Sequence, residues 1–139
     1  MNGRPLLAEP RLDRPLRDLM SAGVVAVPGS SSLRIAFSAM RHHGVHAVLV
    51  SHAGDGRPLG WLTSRALLAH DTTELALFSA REAIDEPFVE LPPSATAGEA
   101  IERMRATGAG RVAVRQDGAR LPEGVVADLD LIGLLVERG

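Results

Sequence analysis

Asp130 stands where an apolar run turns into a helix. In Gly124-Val125-Val126-Ala127-Asp128-Leu129-Asp130-Leu131-Ile132-Gly133-Leu134-Leu135 a glycine opens a short strand-like stretch. Leu131, Leu134 and Leu135 then recur at helical spacing. The first amides of such a helix lack intrahelical acceptors and carry partial positive charge, which suits an anion, while a carboxylate in the first turn offers two acceptor oxygens. A second stretch, Leu59-Gly60-Trp61-Leu62-Thr63-Ser64-Arg65-Ala66-Leu67-Leu68, repeats the design and adds the Thr63 hydroxyl and the Arg65 guanidinium. Arg111 follows a Gly-x-Gly turn at the entrance of another apolar run, where it could face such a site. Each of these residues also has a use without a ligand. An acid in the first turn complements the helix dipole, Thr63 is a natural N-cap, and a single arginine is commonly solvated.

Other chemistries find no footing. The chain has no cysteine, hence no thiol nucleophile, thiolate metal site or disulfide. It has no Gly-x-Ser-x-Gly elbow, no phosphate-loop Gly-Lys-Ser and no recognisable pair of carboxylates for acid and base roles, so no catalytic residue is assigned and no enzyme activity is expected. His42, His43 and His46 are the one cluster that suggests a metal. Gly44 interrupts the helix between them, however, and no metal site is assigned. The net charge of −2, with one Trp and three Phe, gives neither the basic field nor the stacking surface of a nucleic-acid binder. All 15 basic residues are Arg. No run approaches the roughly 18 apolar residues of a membrane span, and the N-terminus lacks the apolar core of a signal peptide, so a cytoplasmic location is expected.

The elements that must position these residues occur twice. Gly60 and Gly124 lie 64 residues apart, and the same spacing relates Arg17 to Arg81, Pro28 to Pro92, Ala36 to Ala100, Met40 to Met104, Gly44 to Gly108, Val48 to Val112 and Val50 to Val114. One ungapped register over so many positions makes the chain two copies of one unit. Residues 1–15, with their prolines, are expected to be an irregular lead-in, residues 16–78 the first copy and residues 79–139 the second. In the first copy a short turn at Leu16 to Met20 precedes an extended piece at Val24 to Val27. A helix capped by the serines before Leu33 follows and stops at Gly44. Val45 to Val50 and Leu59 to Leu62 read as strands joined by the turn Ala53-Gly54-Asp55-Gly56, and a helix is expected from Thr63 to about His70. Asp71 to Glu74 reads as the start of the crossing to the second copy. There, Ser79 to Ile84 repeats the turn and Phe88 to Leu91 the strand. Thr96-Ala97-Gly98-Glu99 has the capping-box pattern for a helix ending at Gly108.

This doubled strand, helix, strand, strand, helix unit has a Leu-Arg-Asp-Leu-Met entry, an Ala-x-x-x-Met helix ending in Gly, a valine-rich strand and a Gly-apolar-apolar-Thr junction. From about Leu16 to Val136 it resembles a tandem pair of CBS domains, the Bateman module. The resemblance implies an α+β (α/β) fold of two βαββα repeats related by pseudo-twofold symmetry. It also implies clefts that hold adenosine-containing ligands such as AMP, ATP or S-adenosylmethionine, and a regulatory homodimer formed through helical faces. The leucines at 67, 68, 131, 134 and 135 are expected to exceed what the core must hide and to leave some for that interface. Since the pair fills almost the whole chain, any output is expected in trans, on a protein partner.

A nucleoside phosphate requires an apolar slot for the base, a carboxylate for the ribose hydroxyls and donors for the phosphate. The family pattern implied by the resemblance, Gly-apolar-x-Thr/Ser-x-x-Asp, is broken differently in each copy. The first has Thr63 and Arg65, the phosphate-facing half, but Ala66 at the Asp position. The second has Asp130 but Ala127 at the hydroxyl position. Val24, Val25, Phe88 and Val89 are the candidates for the base slots. The broken pattern keeps open an alternative, a homodimeric interaction scaffold that binds no small ligand and serves a partner enzyme or transporter.

Overall fold

The computed structural model describes residues 10–136; residues 1–9 and 137–139, and the expectations that fall on them, lie outside the described residues. The described residues divide into two compact units, one of residues 24–88 and one combining residues 10–23 with residues 89–136. Each has a mixed α+β architecture around one sheet.

The unit of residues 24–88 is built on three strands. β2 (Ala26–Pro28) pairs in parallel with β3 (Ala47–Ser51), which pairs antiparallel with β4 (Pro58–Thr63). The central strand β3 buries four successive residues, Ala47 to Val50, as a strand covered on both faces must. Helix α1 (Leu33–His43) forms because Ser32 accepts a hydrogen bond from the Ile35 amide at its start, while Gly44 at φ 66° closes it in the left-handed conformation that glycine adopts without penalty. Its Leu33, Ala36 and Met40 pack into a core with Val48, Val50 and Leu62.

Beyond β4 the chain departs from the expected single helix. α2 (Ser64–Leu67) lasts one turn, and a second helix, α3 (Thr72–Leu77), starts at Asp71. Asp71 and Glu74 form a complete capping box: each carboxylate accepts the other residue's amide, at 2.8 and 2.9 Å. The stretch expected to be a linker is therefore a helix start. A 3₁₀ turn at Ala80–Ala83 then leads the chain back across β4.

The other unit carries a four-stranded sheet in the order β1 (Ser21–Ala22), β7 (Gly124–Ala127), β6 (Arg111–Val114), β5 (Glu90–Leu91). Only β5 and β6 run parallel. α4 (Ala97–Thr107) has the expected capping box between Thr96 and Glu99 and ends at Gly108, φ 78°. α5 (Asp128–Val136) follows β7 without a break. The lead-in contributes more than an irregular approach: Pro10–Asp13 forms a 3₁₀ turn that buries Leu12 to 1 % exposure beside Leu16, Val112, Val114, Val126 and Leu131. Unit boundaries thus fall inside the sequence repeats, because residues 16–23 join the sheet of the second copy and residues 79–88 pack with the first.

Two glycines explain how those crossing segments fit. A Cβ on Gly124 would lie 2.6 Å from Met20 Sδ and 2.7 Å from the Ser21 carbonyl oxygen. On Gly60 it would lie 2.5 Å from Ile84 Cγ2 and 3.1 Å from the Glu86 carbonyl oxygen. Gly124 at the start of β7 and Gly60 within β4 are the places where the other repeat's entry segment passes over the strand.

Candidate functional site

In the unit containing Asp130, the site begins at the end of the β6–β7 pair. Arg111 stands opposite Ala127 in the antiparallel register, and the Asp128 amide donates to the Gly110 carbonyl at 3.0 Å, tying the strand entrance to the start of α5. Asp130 turns back so that its Oδ2 accepts the Ala127 amide at 2.8 Å, and Asp128 Oδ1 accepts the Leu129 amide at 2.7 Å. The register and this bond therefore bring the backbones of Arg111 and Ala127 and the Asp130 side chain to one end of the strand pair. Two of the junction's amides, those of Ala127 and Leu129, are thus met by the chain's own acids, and that of Asp128 by a carbonyl, rather than left open for an anion. Asp130 remains exposed, with lone pairs to spare. Val89 is 6 % exposed inside the core cluster, and its carbonyl accepts the Ala113 amide, so it serves packing rather than an open slot.

The equivalent junction in the other unit is built differently. The Ser64 amide donates to the His46 carbonyl at 2.7 Å, the counterpart of the Asp128–Gly110 bond 64 positions on. Thr63 is 7 % exposed and caps α2 by accepting the Ala66 amide at 3.3 Å. Its own donors go to Asp85: the Thr63 amide reaches Oδ1 at 2.9 Å and the hydroxyl reaches Oδ2 at 2.6 Å. The Thr63 donors expected to face a phosphate are thus engaged by a carboxylate. Arg65 is exposed on the one-turn helix, while Val24, Val25 and Phe88 are half-buried. The Val25 carbonyl accepts the Leu49 amide, and its side chain packs against the core.

Asp85 is the residue that sequence reasoning missed. It is placed by the crossing segment, whose backbone is held to Trp61 by three bonds: Asp85 and Glu86 amides to the Trp61 carbonyl, at 3.0 and 3.2 Å, and the Trp61 amide to the Glu86 carbonyl at 2.9 Å. The 64-residue register held the signal, since it pairs Asp85 with Ser21 and so marks an acid that only one copy carries.

The leucines expected to be in surplus divide unevenly. Leu67, Leu131 and Leu134 are buried and Leu135 is partly buried, leaving only Leu68 exposed. The apolar side chains that α5 presents outward are instead Leu129, Ile132 and Val136, at 77, 48 and 69 % exposure. Among the described residues, no group of three or more His, Asp or Glu side chains is placed to hold a metal ion, and no helix is long and apolar enough to cross a membrane.

Two sheets, each with a glycine-containing strand that runs directly into a helix, define a tandem α+β repeat protein of the Bateman type. The chain belongs to the CBS-domain family, whose sequence model matches it twice, over residues 16–72 and 80–137. Solved structures agree in fold. The CBS domain of a bacterial CNNM/CorC family Mg²⁺ transporter in complex with ATP superposes with a TM-score of 0.77 at 19 % identity, covering 91 % of this chain and 89 % of that one. A CBS-domain protein from Agrobacterium tumefaciens gives 0.71 at 23 %, covering 90 and 96 %. Hypoxic Response Protein I, solved with two coordinated zinc ions, gives 0.65 at 26 %, covering 86 and 97 %. No curated protein matches the chain by sequence.

Proposed function

We propose that this chain is a regulatory module that binds an adenosine-containing metabolite, of the AMP, ATP or S-adenosylmethionine type, and signals its occupancy to a partner in trans. The observation that carries the reading is the exposed Asp130 carboxylate, pinned to the amide of Ala127, the residue in register with Arg111 across the β6–β7 pair. A carboxylate fixed by one hydrogen bond, with its remaining lone pairs open, is prepared to accept from the two hydroxyls of a ribose. The ATP complex of the Mg²⁺-transporter CBS domain lends support, as a fold relative that holds a ligand of this class.

A thermal-shift panel of AMP, ADP, ATP, S-adenosylmethionine and NAD tests the reading. A ligand at a hundred times its Kd adds about 2.7 kcal/mol to stability, and several degrees to Tm. Asp130→Ala should remove the shift. A panel that leaves Tm unmoved at millimolar concentration refutes the reading for these ligands.

A scaffold role has its own supporting observation, the outward apolar stripe of Leu129, Ile132 and Val136 on α5. Spaced i, i+3 and i+7, these residues form one face suited to a second copy of the chain. The homodimer and the ligand site are compatible, and Ile132→Glu distinguishes them: it should yield a monomer by light scattering while leaving ligand binding intact. A wild-type chain that is already monomeric at high micromolar concentration refutes the dimer.

A further inference from the structure

We propose that Asp85 is a ligand-binding residue: it supplies, from the crossing segment, the sugar-binding carboxylate that Ala66 leaves out of the first copy. The inference rests on the nucleoside reading above and deepens it. Thr63 and Ala127 are register partners, as are Ala66 and Asp130. In one unit the Ala127 amide holds the Asp130 carboxylate at 2.8 Å, and in the other the Thr63 amide holds the Asp85 carboxylate at 2.9 Å. The same backbone donor therefore fixes a carboxylate in both units, although the two acids come from different places in the sequence.

The Asp85 carboxylate is held by both of its oxygens, one on the Thr63 amide and one on the Thr63 hydroxyl. Each oxygen spends one acceptor position in this way and keeps another, and the residue is exposed. Two anchored oxygens with outward lone pairs match a vicinal diol, whose two hydroxyls are donors at the same spacing. A purely structural latch is a poor account of the arrangement. The segment is already tied to β4 by three backbone bonds at Trp61, and the other unit holds its own crossing segment with Ser21 at the equivalent position. Thr63 also changes meaning: with amide and hydroxyl both committed to Asp85, it orients the acid and does not meet a phosphate. This junction selects for the sugar.

Calorimetric titration with AMP and 2′-deoxy-AMP tests the assignment in an Asp130→Ala background, which leaves the Asp85 junction as the remaining site. That variant should bind AMP about ten- to a hundredfold more tightly than 2′-deoxy-AMP, the range for losing one hydrogen bond to a charged acceptor. Adding Asp85→Ser, which installs the residue found at position 21, should bring the ratio close to one. Adding Ala66→Asp to that double variant should restore the preference. Asp85→Asn serves as the isosteric second variant if the serine form fails to fold, and it too should lose most of the preference. The assignment is overturned if the preference survives Asp85→Ser, or if both ligands weaken equally, as loss of a latch would cause. It is also overturned, with the nucleoside reading intact, if the wild type binds AMP and Asp130→Ala alone abolishes all binding. If the wild type binds neither compound, the nucleoside reading falls and takes this assignment with it.

Discussion

Replacing Gly124 by alanine tests the strand crossing directly. The added methyl would sit 2.6 Å from Met20 Sδ and 2.7 Å from the Ser21 carbonyl oxygen. Methionine is flexible and can move, but the carbonyl belongs to β1, whose Ser21 and Ala22 are in register with Val125 and Gly124, so relief requires the two strands to part. Overpacking of this kind costs about 3 kcal/mol when backbone must shift. Alanine returns about 0.5–1 kcal/mol by restricting the unfolded chain, which leaves a net loss of about 2 kcal/mol. For a chain of this size Tm should fall by roughly 4–8 °C, with a matching drop in the urea midpoint at unchanged slope. Gly60→Ala meets the Ile84 methyl at 2.5 Å and a carbonyl only at 3.1 Å, so a side-chain adjustment relieves most of it and the loss should be about half as large. Gly133→Ala provides the opposite sign: this glycine is exposed within α5 with nothing within 4 Å of an added Cβ, and alanine there should gain about 0.5–1 kcal/mol. A Gly124→Ala protein within about 0.5 kcal/mol of wild type would refute the crossing geometry.

Two further substitutions probe the same unit. Leu12→Ala should cost about 2–4 kcal/mol in urea denaturation, since Leu12 is almost fully buried; a near-neutral result would show that the lead-in is not part of the core. Glu90 is gripped by Arg115 through two bonds, of 2.8 and 2.6 Å, and this holds its carboxyl below its ordinary value of 4.5. A depressed folded-state value means stability that is present above 4.5 and lost as pH falls through the lower folded value. Glu90→Gln should therefore lower Tm at pH 7 and lose its effect on acidification below about 4.5, and a Tm difference independent of pH would refute the assignment. The pair is partly exposed, so added salt should shrink the difference.

What could be read from the sequence depended on how local each cause was. Ser32 with Gly44, and Thr96 with Gly108, bracket α1 and α4 because caps and left-handed stops act within a turn of the residue that supplies them. The Asp71 and Glu74 capping box is as local, and α3 was hidden only because a polar run resembles a linker until the acid three positions on is counted. The exchange of entry segments was out of reach, since β1 pairs with a strand about a hundred residues away and no periodicity encodes a partner at that distance. The candidate site divides in the same way. Asp130 bonds three residues back along its own chain, whereas Asp85 meets Thr63 across 22 residues through the crossing that Gly60 permits.

The exchanged entry segments also set the order in which the chain can become structured as it emerges from the ribosome. Residues 24–88 form one compact unit from a continuous stretch of chain, and can close as soon as the crossing segment is out. Residues 10–23 emerge before them, but their sheet partner β7 is more than a hundred residues behind. Leu12, Leu16 and Met20 must therefore wait unburied through most of synthesis, a stretch of apolar chain that chaperones can hold and that aggregation can capture. Residues made early in the chain are thus among the later ones to be placed.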